Sequence, residues 1–326
     1  MLNKNKALKV AVGTMVSGLV LYGVGIRCYT YAETIDEYYK LESFQNLYID
    51  TSQINVNIIE ADEFALEINN LDSTGYVNVE NKNGTLEIEG AATKSRIQIG
   101  IFSMFLNQNK ITPDITLYVP TGSYFQTVDI DVSGDLNIGN LYGNQIGMDM
   151  GFGDAYINTI HADQFTLEGS SGDFIIDSLL ADYVELDMSS GDVDINTLKA
   201  QECIIEGSSG DLMVWELETD IFKLDMSAGD VDINTLKAQE CIIEGSSGDL
   251  MVWELETDIF KLDMSSGDVD INTLKAQECI IEGSSGDLMV WELETDILNI
   301  DRSSGDVDIN DLKVRGIDGS SDLSVD

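Results

Sequence analysis

Basic side chains are scarce in this chain of 326 residues, where 17 Lys and Arg stand against 59 Asp and Glu and the formal net charge is −42. Nucleic-acid binding relies on Lys and Arg to neutralise phosphates, so this balance argues against nucleic acid as a partner. It also predicts repulsion from anionic membranes and acidic polysaccharides. Hydrophobic residues nevertheless make up 43% of the sequence, which is too many for a chain kept disordered by its charge.

A Gly-Asp dipeptide recurs every 19 residues from residue 134 onward. A fixed period of about 20 residues is typical of solenoid proteins, in which each repeat is one coil of a stack. A degenerate further copy follows at Ser320-Ser321-Asp322-Leu323. The glycines of the regular series are Gly134, Gly153, Gly172, Gly191, Gly210, Gly229, Gly248, Gly267, Gly286 and Gly305.

Apolar and polar residues alternate on both sides of each Gly-Asp pair, as Val193 and Ile195 do in one coil and Val184 and Leu186 before them. A period of two indicates β-strands with one face inward. We therefore predict an all-β fold, a parallel single-stranded β-helix or solenoid with two short strands per 19-residue coil and a rise of about 4.8 Å per coil. Regular repeats are expected over 134–326, and an irregular N-terminal β region of the solenoid over 41–133.

A two-coil unit is repeated almost without change. Leu186–Lys223 differs from Leu224–Lys261 only at Ser190 against Ala228, and Leu262–Asn299 differs from the first unit at two positions. Such identity indicates recent tandem duplication. It also indicates that the stack tolerates extension by whole coils.

Three of the four cysteines, Cys203, Cys241 and Cys279, occupy one position of this unit. Two coils separate each of them from the next, which places them about 9.6 Å apart. A disulfide needs Cα atoms within about 7 Å of each other. We therefore predict that these cysteines are small buried hydrophobic residues and neither disulfide partners nor metal ligands.

An uncharged stretch, residues 10–26, follows three lysines near the start of the chain. Its length is at the short limit for a membrane-spanning helix and slightly long for the core of a signal peptide. Segment 1–32 is therefore either a membrane anchor with its lysines in the cytoplasm or a signal cleaved near Thr30-Tyr31-Ala32. The first alternative predicts an extracytoplasmic protein anchored to the cytoplasmic membrane, and the second a secreted one.

A passage between this segment and the repeats carries a family resemblance. Ile-Thr-Leu-Tyr-Val-Pro at 115–120 leads into Val-Asp-Ile-Asp-Val-Ser-Gly-Asp-Leu-Asn-Ile at 128–138, downstream of a hairpin signal at Asn83-Gly84. With the Ser-Gly-Asp repeats, this passage resembles the bacterial "putative adhesin" β-strand-repeat family, a domain of unknown function. The resemblance covers about residues 41–326. It implies a right-handed single-stranded β-helix at the bacterial cell envelope, and it supplies no catalytic residues.

Two acidic columns flank the Ser-Ser-Gly turn of successive coils. Carboxylates about 4.8 Å apart repel each other, so turn N–H groups, raised pKa values, salt or divalent cations must offset the repulsion. Ca²⁺ prefers oxygen ligands of this kind, which makes a divalent-cation-binding rod one hypothesis. The alternative is that they are structural turn residues and solvated charges. The columns contain Asp192, Asp211, Asp230, Asp249, Asp268 and Asp287, and Asp187, Glu206, Asp225, Glu244, Asp263 and Glu282.

A row of large side chains repeats with the duplicated unit. It consists of Trp215, Trp253 and Trp291 together with Met213, Met251 and Met289. Strand alternation predicts that all six face outward, with about 9.6 Å between successive pairs. Such a row is a candidate surface for a partner protein, a glycan or another rod. The alternative is that the rings lie flat over neighbouring coils and shield the corner.

Catalysis finds little support in the sequence. The only histidine, His161, falls at a coil corner, and every Asp of the repeats recurs identically, so no unique pair of carboxylates is set apart. We therefore predict a non-enzymatic, adhesin-like surface protein without a cofactor other than the Ca²⁺ considered above. Its expected partners are a protein or glycan at the cell envelope, or a second rod. The alternative is an envelope-stress or regulatory module that acts with a membrane partner.

Overall fold

The computed structural model describes residues 35–71, 75–92 and 112–314, and these residues form strands and turns. Within these ranges, eight strands precede the regular repeats. Their bounds are β1 (Ile35–Lys40), β2 (Asn46–Ser52), β3 (Asn55–Ala61), β4 (Ala65–Leu71), β5 (Tyr76–Lys82), β6 (Thr85–Ala91), β7 (Asp114–Pro120) and β8 (Tyr124–Ser133).

These eight strands join the stack without following its period. Strand β2 lies parallel between β6 and β8, and β3 lies parallel to β7 and to β9 (Leu136–Met150). Three other pairs, β1–β4, β4–β7 and β5–β6, are antiparallel. The β5–β6 hairpin turns at Asn83 and Gly84, whose φ angles are 54° and 79°. The hairpin expected from that dipeptide is therefore confirmed.

The first three regular coils each form one uninterrupted strand, β9, β10 (Ala155–Gly169) and β11 (Phe174–Met188), where the sequence predicted two. The later coils break at a corner, and at Thr219 the side-chain oxygen lies 3.1 Å and 3.0 Å from the carbonyl oxygens of Gln201 and Ile221. Such local bonding competes with strand pairing. The later strands are β12 (Val193–Lys199), β13 (Glu202–Gly207), β14 (Leu212–Glu218), β15 (Ile221–Met226), β16 (Val231–Lys237), β17 (Glu240–Gly245), β18 (Leu250–Glu256), β19 (Ile259–Met264), β20 (Val269–Lys275), β21 (Glu278–Gly283), β22 (Leu288–Thr295), β23 (Ile297–Arg302) and β24 (Val307–Val314).

Residues 19 apart are paired in parallel throughout the regular coils. Val193, for example, is paired with Phe174 of the preceding coil and with Leu212 of the next. The inward side chains of all coils stack into one continuous core, in which these three residues are almost completely buried. The all-β parallel solenoid with 19-residue coils, predicted from the period, is confirmed.

The turn that closes each coil tolerates only glycine at its third position. Gly210 has a φ of 106°, a conformation that residues with a Cβ rarely adopt. A Cβ added there would lie 2.1 Å from the carbonyl oxygen of Gly191 in the preceding coil. The same close approach recurs from Gly153 to Gly305, so the glycine column sets how closely the turns can stack.

Two interior columns alternate between large and small residues. Cys203 is paired with Val184 and with Phe222, and the sequence Phe-Cys-Phe-Cys continues along this column. Cys203, Cys241 and Cys279 are buried and free, which confirms that they are small buried residues outside any disulfide. Burial raises the pKa of the Cys203 thiol well above its ordinary value. The second column alternates Gly and Met. A Cβ added to Gly207 would lie only 2.3 Å from the sulfur of Met226, so each Met fills the space that its Gly neighbour leaves.

Several expectations fall on residues outside the described ranges. These are segment 1–32 with its uncharged stretch 10–26, and the degenerate repeat at 320–323. Within the described ranges, none of the secondary structure is a helix long and apolar enough to cross a membrane. The division between an irregular region 41–133 and regular repeats 134–326 stays a prediction.

Candidate functional site

The Met–Trp face is the outer surface of the strands that follow each Gly-Asp turn in the duplicated coils. Leu212 and Val214 of β14 point into the core, so Met213 and Trp215 point outward. Met213 is 51% exposed and Trp215 is 61% exposed, so neighbouring coils cover less than half of the Trp side chain. The face comprises Met213, Trp215, Met251, Trp253, Met289 and Trp291, all of them exposed.

Two kinds of coil alternate along this face. The Trp coils, which carry Met and Trp, begin at Gly210, Gly248 and Gly286. The Asn coils, which carry Asp and Asn at the same positions, begin at Gly191, Gly229, Gly267 and Gly305. Met213 is paired with Asp232, and the same register places Trp215 beside Asn234. Rows of bulky side chains about 9.6 Å apart are therefore separated by rows of short polar ones.

A column of alternating charge borders the Met–Trp face at the end of the same strands. Lys199 Nζ donates a hydrogen bond of 2.8 Å to Glu218 Oε2, and this bond lowers the pKa of the Glu218 carboxyl. Every Trp coil carries Glu at this position and every Asn coil carries Lys. The charge therefore changes sign from coil to coil, together with the change from large to short side chains on the Met–Trp face. The column runs Lys199, Glu218, Lys237, Glu256, Lys275, Glu294 and Lys313.

Sequence reasoning missed that the apolar surface extends toward the N-terminal coils. Tyr156 is paired with Ile175, Ile175 with Asp194, and Asp194 with Met213, so all four lie in one column. Tyr156 is 50% exposed and Ile175 is 42% exposed. Counting residues from each Gly would have found both, because they occupy the Met position of their coils. The Asn coil that begins at Gly191 separates this patch from the Met–Trp face.

The first acidic column has a structural role in every regular coil. Asp211 Oδ1 accepts a hydrogen bond from the backbone N–H of Asp230 at 2.9 Å, and Asp192 Oδ1 accepts one from Asp211 N–H at 2.9 Å. The series starts at Asn55 of β3, whose Oδ1 accepts from Asp135 N–H at 3.0 Å. Each carboxylate thus binds a turn N–H of the next coil, one of the sources of compensation expected from the sequence. Bonds of this type, to a charged acceptor, are stronger than neutral ones.

The second acidic column is longer than the sequence indicated. Asp187 is paired with Glu168, and Glu168 with Asp149. Asp149 is in turn paired with Asp131, Asp131 with Asp50, and Asp50 with Glu89, which extends the column into the N-terminal strands. Desolvation raises the pKa of Asp131, and the neighbouring charges of Asp149 and Asp50 raise it further. Carboxylate repulsion along this edge therefore affects the protonation of at least one member.

All twelve acidic residues proposed as cation ligands are exposed, at the turn or on the outer surface. The described part of the chain contains no group of three or more His, Cys, Asp or Glu arranged to hold a metal ion. In the first column, one carboxylate oxygen of each Asp already faces a backbone N–H. Cation binding by these columns stays a prediction.

The only histidine of the chain, His161, is exposed, and its ring centre lies 6.2 Å from that of Tyr142.

Comparison with known proteins gives one family and several solved structures. The model of the family described as Toastrack DUF4097 matches residues 44–217 and again residues 205–322. A comparison with curated proteins found no match. The chain is similar to the crystal structure of a "putative adhesin" from Parabacteroides distasonis ATCC 8503, with 15% identity and a TM-score of 0.40 over 85% of this chain and 97% of that one.

Two further solved structures are similar over most of their length. One is a "putative adhesin" from Bacteroides fragilis NCTC 9343, with 16% identity and a TM-score of 0.29 over 86% of this chain and 98% of that one. The other is a "putative lipid binding protein" from Parabacteroides distasonis ATCC 8503, with 14% identity and a TM-score of 0.35 over 87% and 97%. At these values the similarities carry no information on what this chain binds.

Proposed function

Since the chain belongs to the Toastrack DUF4097 family, we propose that it is a non-enzymatic, adhesin-like binding protein of the bacterial cell envelope whose binding surface is the Met–Trp face. The observation that carries the proposal is the exposure of three Trp and three Met side chains in one row. A concentration of large exposed apolar side chains on one surface marks an interaction site. Trp is also among the residues that most often dominate binding energy.

The surroundings of the face restrict the partner's charge. Asp232, Asp270 and the Glu residues of the charged column lie among the Trp side chains, and the net charge of the chain is −42. A ligand that sets further negative charge against these side chains would be repelled. The proposed partner is therefore a protein or a glycan whose contacting surface places basic or neutral groups opposite these Asp and Glu side chains.

The proposed location outside the cytoplasm rests on the sequence of the N-terminal segment. Lysines followed by the uncharged stretch 10–26 are typical of export, with the segment either retained as an anchor or cleaved. A rod exported in this way would present the Met–Trp face to other envelope components.

The test measures binding of the full chain, in a mild neutral detergent, to isolated bacterial envelope fragments by co-sedimentation. The variant carries Trp215→Ser, Trp253→Ser and Trp291→Ser, and we expect its affinity to fall by about 30-fold or more. The matched control carries Ile221→Ser, Ile259→Ser and Ile297→Ser, which have the same spacing at the start of β15, β19 and β23, the second strands of the Trp coils; Ile297 is exposed, and Ile221 and Ile259 are half-buried. The control should bind within about 3-fold of the unmodified chain.

Equal binding by both variants would show that the Met–Trp face is not the binding surface. Treating the envelope fragments beforehand separates the two classes of partner. Loss of binding after protease treatment identifies a protein, including the membrane partner that a regulatory role would require. Loss after glycan digestion identifies a carbohydrate.

A further inference from the structure

Inside the rod, large and small residues alternate from coil to coil, and each large side chain fills the space beside a small residue of the neighbouring coil. Met226 fills the space beside Gly207, and Phe222 lies between Cys203 and Cys241. The Met–Trp face shows the same alternation, but its large members stand exposed above the short ones. The rows at Asp232 and Asn234 are therefore grooves between ridges, about 4.8 Å from the nearest ridge on either side.

The charged column changes sign in phase with these ridges. Trp coils carry Glu218, Glu256 and Glu294, and Asn coils carry Lys199, Lys237 and Lys275. A surface that fits this face must therefore offer grooves and Lys opposite each ridge, and ridges and Glu opposite each groove. It must also repeat every 9.6 Å or so. The Met–Trp face itself has this period and both of these properties.

We propose that the partner of the Met–Trp face is a second copy of this chain, packed antiparallel with its Trp coils over the Asn coils of the first. The proposal rests on the proposed function, since it names the partner of that same surface. The pair has a two-fold axis perpendicular to the rods, between the coils that begin at Gly229 and Gly248. Such an interface is isologous, with the same residues on both copies.

This register matches bulk over six coils and matches charge in the Lys–Glu column. Trp253 faces Asn234 of the second copy, Trp215 faces Asn272, and Trp291 faces Asn196. In the charged column Lys237 faces Glu256, Glu218 faces Lys275, and Lys199 faces Glu294. Each of these contacts occurs twice by symmetry. An axis one coil further along would bring the coil that begins at Gly305 into the contact, where Asp311 replaces the Thr of the other Asn coils and would face Glu216.

The antiparallel arrangement follows from the direction of the two-fold axis. An axis perpendicular to the rods inverts the order of coils and keeps each column opposite itself. Because the axis lies between two neighbouring coils, each Trp coil then faces an Asn coil of the second copy. An axis along the rods would instead bring Trp coils opposite Trp coils at the same height. A basic or neutral partner of another kind would match the charge of the face but would have no reason to share its period.

The test reverses the charges at the centre of the proposed interface in the full chain, kept in a mild neutral detergent. One variant carries Lys237→Glu and the other carries Glu256→Lys. In a symmetric pair, each variant sets like charges opposite each other twice, and we expect self-association to weaken by about 10-fold or more, measured by analytical ultracentrifugation. A mixture of the two variants sets opposite charges at both places and should associate within about 3-fold of the unmodified chain.

Recovery in the mixture is the result that a merely structural role of these residues would not produce, because each rod would keep its own defect. Circular dichroism shows whether each variant keeps its β structure. A mixture that associates no better than the separate variants would overturn the proposal of an antiparallel pair, and so would a chain that remains monomeric at high concentration.

The failure of this proposal can be told apart from the failure of the proposed function. If the unmodified chain stays monomeric but binds envelope fragments through its Trp side chains, the face is a binding surface for another partner and only the present inference fails. If the Trp215, Trp253 and Trp291 variant keeps both self-association and fragment binding, both proposals fail. If the proposal holds, that variant loses about 100-fold or more in self-association.

Discussion

The turn edge and several other columns of the duplicated coils repeat with different periods. At the turn, Gly and Asp recur in every coil, every 19 residues. In these other columns the pattern recurs only every second coil, with Phe after Cys, Met after Gly, Glu after Lys and Trp after Asn. The difference shows which contacts are between like residues and which are between complementary ones.

At the turn, each coil contacts the same atoms of its neighbour. The Gly210 backbone lies against the Gly191 carbonyl, and the Asp192 carboxylate accepts the Asp211 N–H, so one residue type serves both sides of the contact. Between side chains of opposite charge or unequal size, the two members must differ. A unit of two coils is therefore the smallest that contains both members, which explains why the duplicated segment spans two coils.

The turn column should show the largest effect of a single substitution. We expect Gly210→Ala to lower the free energy of unfolding by about 3 kcal/mol or more, because the added Cβ meets the Gly191 carbonyl at 2.1 Å and the φ angle is positive. Gly122→Ala is the control, since Gly122 also has a positive φ but no atom within 4 Å of the added Cβ. Urea unfolding of both variants measures the difference, and equal losses would contradict the role of stacking.

The alternating interior should show coupling between neighbours. Met226→Ala leaves a cavity and should cost about 2–4 kcal/mol, and Gly207→Ala places a Cβ 2.3 Å from the Met226 sulfur and should cost about 1–3 kcal/mol. In the double variant the added methyl group occupies part of the space that Met226 vacates. We expect its loss to be smaller than the sum by about 1 kcal/mol or more in a double-mutant cycle. Additive losses would show that the two coils do not share this space.

The first acidic column separates hydrogen bonding from charge. Asp211→Ala removes the acceptor for the Asp230 N–H and should cost about 1 kcal/mol, whereas Asp211→Asn keeps an oxygen acceptor and should cost less. Thermal unfolding of both variants and of the unmodified chain, in millimolar Ca²⁺ and in chelator, tests cation binding in the same experiment. A midpoint that Ca²⁺ leaves unchanged in the unmodified chain would rule out the cation hypothesis.

Substitution of the serine before a turn glycine should change stability less, and Ala228, which stands at this position in one coil, provides the comparison. Ser266 Oγ donates to the Ser246 carbonyl at 2.8 Å, and Ser209 Oγ donates to the Ser189 carbonyl at 3.1 Å, while Ala228 provides no such donor. We expect Ala228→Ser to stabilise the chain by about 0.5–1 kcal/mol and Ser266→Ala to destabilise it by a similar amount. Changes of the same sign in the two unfolding experiments would contradict this assignment.

The second acidic column should make stability depend weakly on pH. The pKa of Asp131 is raised above its ordinary value of 3.8 by desolvation and by Asp149, Asp50 and Asp129. Its contribution to stability is therefore fully present below about pH 3.8 and is lost as the pH rises through the folded-state pKa. Asp131→Asn should unfold at a higher temperature than the unmodified chain at pH 7, and the difference should shrink toward pH 4. A difference that does not vary with pH would contradict the assignment.

Much of the regular part could be predicted from the sequence, because its period fixes the register. Once residues 19 apart are known to stack, alternation decides that Leu212 is inside and Trp215 is outside, and the two-coil spacing excludes disulfides among the cysteines. The same count would have placed Tyr156 and Ile175 in the Met213 column. The candidate face follows from the sequence to this extent, although its partner does not.

The N-terminal strands could not be predicted in the same way, since no period links residues that lie far apart in the chain. Only the tertiary structure places β2 between β6 and β8, and Asn55 against the N–H of Asp135, 80 residues later. The sequence by itself determined what each repeated position does, because a repeat contacts its own copy. The tertiary structure decided where the series begins and which side chains stand unpaired on its surface, because those depend on contacts between segments that share no pattern.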